Sequence, residues 1–459
     1  MNPTPPVAAA RAASAAHVVH QDERGATGRG LRRCYTVRFQ PLIRISHFTN
    51  IADETFLAAA SSSHGRPLEI AMYRFFEQLS TRITAPFTKP DNRHSKVWEC
   101  TCGQSIFFRN SQCLACHGLL GFWPEKNVLS TLDAGPEAGT WRLHAAPDAG
   151  LFRRCANLDT PAACNWVVPA EKGAAALCTA CSLNRTIPDL SVPENPEHWR
   201  KVETAKRRLI AQLINLGLPV IAKTEDEDTG LAFDFIGTDM NGNAPTTGHA
   251  NGLVTLDIME ADDAHREKVR VQMREPYRTL LGHFRHEVGH YYWDRLIADT
   301  HWVADYRRLF GDESQSYADA LQRHYDQGAP ADWQQNFVSA YATMHPWEDW
   351  AETWAHYLHM MDAVDTALGF GMSAKEMDLD YTPFPLTTLY DPDHTSGPAF
   401  LAFVNAWIEL AGMLNELSRA MGQPDFYPFV LPPAVIAKLH FIHVVVQEAG
   451  GRADDVLQV

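Results

Sequence analysis

The sequence predicts an α+β protein, with a Cys-rich N-terminal module of short strands and turns followed by a mostly helical domain carrying a small sheet. Three observations support this. Eight of the nine cysteines fall between Cys100 and Cys181. Two strand-like runs, Phe233-Asp-Phe-Ile and Leu253-Val-Thr-Leu-Asp-Ile, flank a Gly/Asn-rich stretch. From Tyr277 onward the apolar spacing is mostly helical to the end of the chain.

Taken in order, residues 1–71 mix Pro, Ala, Ser and Arg without sustained periodicity. They read as a disordered extension, apart from a short strand at Cys34–Ile43. The amphipathic run Met72-Tyr-Arg-Phe-Phe-Glu-Gln-Leu marks the expected start of folded chain. A Cys-rich domain is assigned to 72–187, with strands and turns from Trp98 to about Asn184. Pro188, Pro193 and Pro196 make a stiff linker into the second domain, 188–459. There a helix is expected over about Glu197 to Leu216, with Trp199, Val202, Leu209, Leu213 and Leu216 on one apolar stripe. Gly217 stands where a left-handed C-terminal residue belongs. Within that helix, Lys206-Arg207-Arg208 reads as a solvated face.

The 459 residues are 45% hydrophobic and 21% charged, an ordinary globular composition, with a net charge of −15. Residues 1–71 hold eight Lys/Arg and five Asp/Glu, leaving 32 basic against 50 acidic residues, −18, in the rest. A body this acidic repels phosphate backbones, so nucleic acid is not the expected partner. No run of 18 or more apolar residues occurs, so no membrane-spanning helix is expected.

Cys100-x-Cys102 and Cys113-x-x-Cys116 put four thiols within 17 residues, the spacing of a zinc ribbon or knuckle. Cys155, Cys164 and Cys178-x-x-Cys181 make a second, looser set of four. Four thiolates close a tetrahedral ion completely, so both sets read as structural, adding folding energy that so short a segment lacks. Local clustering points to metal in a reducing compartment rather than to disulfides, and the cytoplasm is the default location. Cys34 has no partner.

The motif His286-Glu-Val-Gly-His290 carries the chemistry. Residues four apart share a helix face, so both imidazoles can reach one ion. Glu287, one position along, can address a water on that ion without being a ligand. Leu280, Leu281, Phe284, Val288, Trp293 and Leu296 supply the contacts to bury this helix, and Gly289 leaves room for a second backbone. A catalytic zinc keeps three protein ligands and one open position. Trp347-Glu-Asp-Trp-Ala-Glu-Thr-Trp supplies Glu348 and Glu352 on one face; one can bind the ion while the other holds an imidazole.

This pairing resembles the glutamate zincins. The resemblance implies that Glu348 is the third ligand and Glu352 its supporter. It also implies that a phenol at Tyr341, or His345 in its place, donates to the oxyanion, although Pro346 interrupts the helix between Tyr341 and Glu348. The run Leu253-Val-Thr-Leu-Asp-Ile is then the edge strand that pairs with the substrate backbone.

A wider resemblance rests on four segments in the same order: Trp98-Glu-Cys-Thr-Cys-Gly, Phe107-Phe-Arg-Asn-Ser-Gln-Cys-Leu-Ala-Cys, Cys178-Thr-Ala-Cys-Ser-Leu-Asn-Arg-Thr-Ile-Pro-Asp-Leu and the stretch from Gly282 to Leu296. Together they look like the bacterial family named putative zinc-binding metallopeptidases with an N-terminal zinc ribbon. The likeness runs from about Met72 to beyond Ala355. It implies a zincin-like peptidase domain with one catalytic and up to two structural Zn2+, acting on a peptide or protein. The competing reading is a non-catalytic zinc-ribbon adaptor with a silent zincin fold. Two signals are set aside: Asp239-Met-Asn-Gly-Asn243 starts like a calcium loop but has Ala244 and Ala250 at the sixth and twelfth positions. His440 and His443 read as core or surface histidines.

Overall fold

The computed structural model describes residues 96–238, 245, 247–273, 275–372 and 381–450, all within one unit, Phe87–Val459. The extension at 1–71 with its Cys34–Ile43 strand, the Met72 start and the Asp239–Asn243 loop lie outside the described residues.

The Cys-rich segment opens with an antiparallel pair, β1 (Val97–Glu99) and β2 (Ser105–Phe107). A five-stranded antiparallel meander follows: β3 (Leu120–Trp123), β4 (Val128–Ala134), β5 (Trp141–Leu143), β6 (Phe152–Arg154) and β7 (Val167–Pro169). Strands this short bury little by themselves, and the cysteines stand in the turns beside them, Cys100 after β1 and Cys155 after β6. The segment's last strand, β8 (Asn184–Thr186), leaves the meander for a second sheet.

That sheet also contains β9 (Ala232–Ile236), β10 (Gly248–Ala250) and β11 (Leu253–Asp257), in the order β10-β11-β9-β8. Both strands expected at Phe233 and Leu253 are present, but β9 and β11 run parallel instead of folding back across the Gly/Asn-rich stretch. The tight reversal is Asn251-Gly252 between β10 and β11, with φ of 49° and 76°. Two consecutive left-handed residues give a two-residue hairpin the twist its strands require. This corrects the edge-strand expectation. Leu253–Asp257 is interior, and the edge on that side is Gly248–Ala250.

Eight helices carry the rest of the described chain: α1 (Asn195–Asn215), α2 (Asp263–Met273), α3 (Leu280–Leu296), α4 (Val303–Phe310), α5 (Tyr317–Gln327), α6 (Pro346–Gly369), α7 (Gly397–Ala420) and α8 (Pro433–Gly450). The α1 stripe is buried as expected, and Gly217 has φ of 73°. Thr279 caps α3, its Oγ1 accepting from the Gly282 N–H at 3.0 Å. His440 and His443 are core residues of α8. By length and composition alone α7 is long and apolar enough to cross a membrane; 44% of its most apolar stretch is buried within the protein. Phe400, Phe403, Val404, Trp407 and Leu410, spaced three and four apart, form its buried face. One continuous core runs from Cys100 and Trp166, through Trp199 and Phe284, to Val446.

The basic triplet on α1 is not a solvated face. The helix is packed on two sides, so Lys206 is 0% exposed and Arg207 is buried. Lys206 Nζ donates to Glu203 Oε1 at 2.7 Å and also bonds Asn184 of β8. Arg207 Nη1 donates to the Ala162 carbonyl at 2.9 Å, within the Cys-rich segment. Arg208 Nε donates to Asp362 Oδ2 of α6 at 2.7 Å, and Arg285 of α3 reaches the same oxygen at 2.8 Å. Lys206 and Arg207 have partners, which is what makes their burial tolerable, while the paired Arg208 side chain stays 39% exposed.

Removing one partner should therefore be costly. Glu203→Ala leaves Lys206 without its carboxylate and should lose about 3–5 kcal/mol in urea unfolding, whereas Glu203→Leu/Lys206→Met should lose much less. A cost below about 1 kcal/mol for Glu203→Ala would remove this pair from the account.

A second buried carboxylate, Glu260, accepts from Arg278 Nη2 at 2.6 Å and stands 3.5 Å from His283 Nδ1. Burial opposes its charge, but His283 and Arg278 outweigh burial and bring its pKa from 4.5 to about 2. A carboxylate depressed in the folded state stabilises fully above its unfolded pKa and loses that contribution as pH falls. Stability should drop between about pH 4.5 and 2, and Glu260→Gln should flatten the pH profile of the unfolding midpoint in that window.

Candidate metal centre

Helix α3 packs tightly against α6 at Gly289. A Cβ there would stand 3.0 Å from the Ala351 Cα, and Trp350 Nε1 donates to the Gly289 carbonyl at 2.8 Å. Three residues before and one after Gly289 and Ala351, the two helices present His286 and His290 against Glu348 and Glu352. The structure brings three of these together: one donor atom each from His286, His290 and Glu348 lies within 4.8 Å of the others.

Glu348 Oε2 is 3.0 Å from His286 Nε2 and 3.5 Å from His290 Nε2. It is buried yet aligned for no hydrogen bond. Bond lengths near 2.1 Å to a shared tetrahedral ion put neighbouring donor atoms about 3.4 Å apart, so the donor set fits zinc. Burial penalises charge on His286, but Glu348 and Glu352 outweigh it and hold its pKa well above the ordinary imidazole value. Burial likewise opposes charge on Glu348, and the two imidazoles hold its pKa well below the carboxylate range.

Glu352 lies behind His286. Its Oε1 accepts from His286 Nδ1 at 2.7 Å, and its Oε2 accepts from Ser339 Oγ at 2.6 Å. That bond places the His286 proton on Nδ1 and turns Nε2 toward Glu348. His290 is held by packing instead: its ring lies 3.9 Å, centroid to centroid, from that of Trp347, and its Nδ1 has no hydrogen bond. Glu287 is 6% exposed.

Tyr341 is not on the helix of Glu348. It begins a separate one-turn element, Tyr341–Thr343, and its ring centroid is 6.0 Å from that of His286. Burial and the Glu348 charge push its phenol well above its usual pKa. His345 does not fill the role read for it. Its Nδ1 accepts from the Trp347 N–H at 3.1 Å, capping α6, and its Nε2 donates to the Gln315 carbonyl at 3.2 Å. Both ring nitrogens are used, which leaves no donor for an oxyanion.

Sequence reasoning missed Tyr317, Ser339 and His249. Tyr317 OH donates to Glu348 Oε1 at 2.8 Å from 31 residues away, and no spacing rule connects the two. His249, on the edge strand β10, stacks toward His290 with centroids 6.3 Å apart, and burial brings its pKa down to about 3.

Both cysteine sets converge as well. Within each, one sulfur per residue lies within 4.8 Å of the rest. Cys100 and Cys116 Sγ are 3.6 Å apart, Cys102 and Cys113 3.7 Å, and Cys164 and Cys178 3.6 Å. These are not disulfide distances. They match the roughly 3.8 Å edge of a tetrahedron with Zn–S bonds near 2.3 Å. The first set is half exposed, whereas the second is wholly buried, with Cys181 Sγ 4.0 Å from Glu203 Oε2.

This combination, thiolate sets ahead of a helical domain with a His/His/Glu cluster, matches a recognised family. The chain belongs to the family described as "Putative zinc-binding metallo-peptidase", which it matches over residues 195–445, and a zinc-ribbon domain matches over 97–192. Uncharacterized proteins of Mycobacterium tuberculosis and Mycobacterium bovis are 44% identical to it over 348 residues, covering 76% of this chain and 94% of theirs. No solved structure matches the chain.

Three candidate metal sites give a countable expectation. Elemental analysis should find three zinc ions per chain, falling to two in His286→Ala/His290→Ala. An unchanged count in that variant would separate the helix pair from metal binding.

Proposed function

We propose that the protein is a zinc-dependent peptidase that hydrolyses peptide bonds. One observation carries the reading: two imidazole nitrogens and a carboxylate oxygen face a common point, and that buried oxygen has no hydrogen bond. In this reading His286 Nε2, His290 Nε2 and Glu348 Oε2 hold zinc, and Glu352 orients His286. Zinc bound there supplies a Lewis acid, which lowers the pKa of a water from about 15.7 to near 7 and polarises a carbonyl.

The chain's own residues move the protons. Glu287 accepts one from the attacking water on a carboxylate oxygen as the new C–O bond forms. It returns that proton to the leaving nitrogen as the C–N bond breaks. The Tyr341 phenol donates to the oxygen that gains charge, a contribution worth about 3 kcal/mol. In this reading the peptide backbone pairs with the edge strand β10, which lies beside His290 through His249. The partner is therefore a peptide or protein, and the net charge of −15 works against nucleic acid. Eight unpaired cysteines in two sets favour a reducing compartment, and we assign the cytoplasm.

Glu287→Gln should keep three zinc ions while turnover of a quenched-fluorescence peptide library falls at least about a hundredfold. Turnover at the wild-type rate would exclude Glu287 as the base.

A further inference from the structure

We infer that Tyr317 positions the metal centre, its phenol engaging one oxygen of Glu348 so that the carboxylate offers only Oε2 to an ion. The inference rests on the zinc reading above and adds a residue to it. A carboxylate has two oxygens, each with lone pairs free for an ion. Glu348 Oε1 is occupied by the Tyr317 phenol at 2.8 Å, whereas Oε2 faces the imidazoles with no hydrogen bond. The two oxygens of one side chain thus have different tasks.

The phenol is itself held. Tyr317 is the first residue of α5, and the Ser316 cap accepts from the Asp319 N–H at 3.3 Å. Two residues before Tyr317, the Gln315 carbonyl accepts from His345 Nε2 at 3.2 Å. His345 in turn caps α6, three residues before Glu348. The Tyr317 ring rests 5.4 Å from the His345 ring and 6.3 Å from the Trp347 ring. The first turns of α5 and α6 therefore hold each other, and Glu348 sits where they meet. This gives His345 a purpose that its sequence position did not suggest. Partners that orient metal ligands are typically worth about 10–100-fold in metal affinity. Holding Glu348 to one oxygen also keeps the fourth position open, as a catalytic site requires.

The test uses the full chain with zinc left on the cysteine sets and Co2+ titrated into the His/His/Glu site. The visible spectrum is read as the difference from His286→Ala/His290→Ala, because cobalt absorption reports coordination geometry. Tyr317→Phe removes one hydroxyl from a ring that is 39% exposed, and the zinc retained on the cysteine sets checks that the fold survives. Cobalt affinity should fall about tenfold or more, and the band should shift and weaken as Glu348 is released. Tyr325→Phe, 65% exposed on the same helix, should match wild type in both readouts. Wild-type affinity and an unchanged band in Tyr317→Phe would overturn the inference while leaving the zinc reading intact. Equal cobalt uptake by wild type and the double-histidine variant would instead remove the zinc reading and this inference with it.

Discussion

The metal centre depends on how closely α3 and α6 can approach. A Cβ at position 289 would stand 3.0 Å from the Ala351 Cα and 3.3 Å from the Ala351 carbonyl oxygen, tight enough that the neighbouring backbone would have to give way. Glycine on one helix facing alanine on the other removes that obstacle, and the Trp350 hydrogen bond to the Gly289 carbonyl sets the depth of the contact. Two imidazoles on one helix and two carboxylates on the other are then brought together. Larger side chains at this contact would hold the two helices farther apart and move the donor atoms away from one another.

Around this contact lie several buried or partly buried ion pairs. Asp362 on α6 accepts from Arg208 on α1 and from Arg285, the neighbour of His286 on α3. Lys96, just ahead of β1, bonds Asp365 on the same helix at 2.7 Å. Asp349, next to Glu348, accepts from Lys438 of α8 at 2.6 Å. Each pair ties one of the helices bearing the site to a different part of the chain. Buried pairs are poor sources of net stability, but they tolerate few alternative arrangements, so they suit a site needing one geometry.

The Cys-rich module belongs to the same construction. Its last strand, β8, completes the sheet that supports α3, and Asn184 on that strand shares the Lys206–Glu203 pair. Cys181 lies beside that pair. The wholly buried cysteine set therefore adjoins the helix α1 that packs on α3. The first set, with Cys102 and Cys116 exposed, stands nearer to solvent.

Much of this was legible from spacing. CxxC and CxC pairs, a His-x-x-x-His face and a Glu-x-x-x-Glu face are local patterns, and a helix or tight turn imposes their geometry within a few residues. The apolar stripe of α1 was local in the same sense. The misreadings were all non-local. Lys206-Arg207-Arg208 looked solvated because periodicity shows a helix's apolar face, not how many of its faces are covered. Leu253–Asp257 looked like an edge because sequence order does not give strand order, and His345 looked like a donor because its Gln315 contact depends on chain 30 residues away. By itself the sequence determined the helices and turns, the residues able to bind metal, and which of them share a local face. Only the tertiary structure decided that Glu348 faces the Nε2 atoms of both imidazoles while Glu352 takes the His286 Nδ1, that Ser339 and Tyr317 hold those carboxylates, and that β10 is the edge. Those outcomes depend on distances between elements far apart in the chain, and backbone approach and side-chain volume set them.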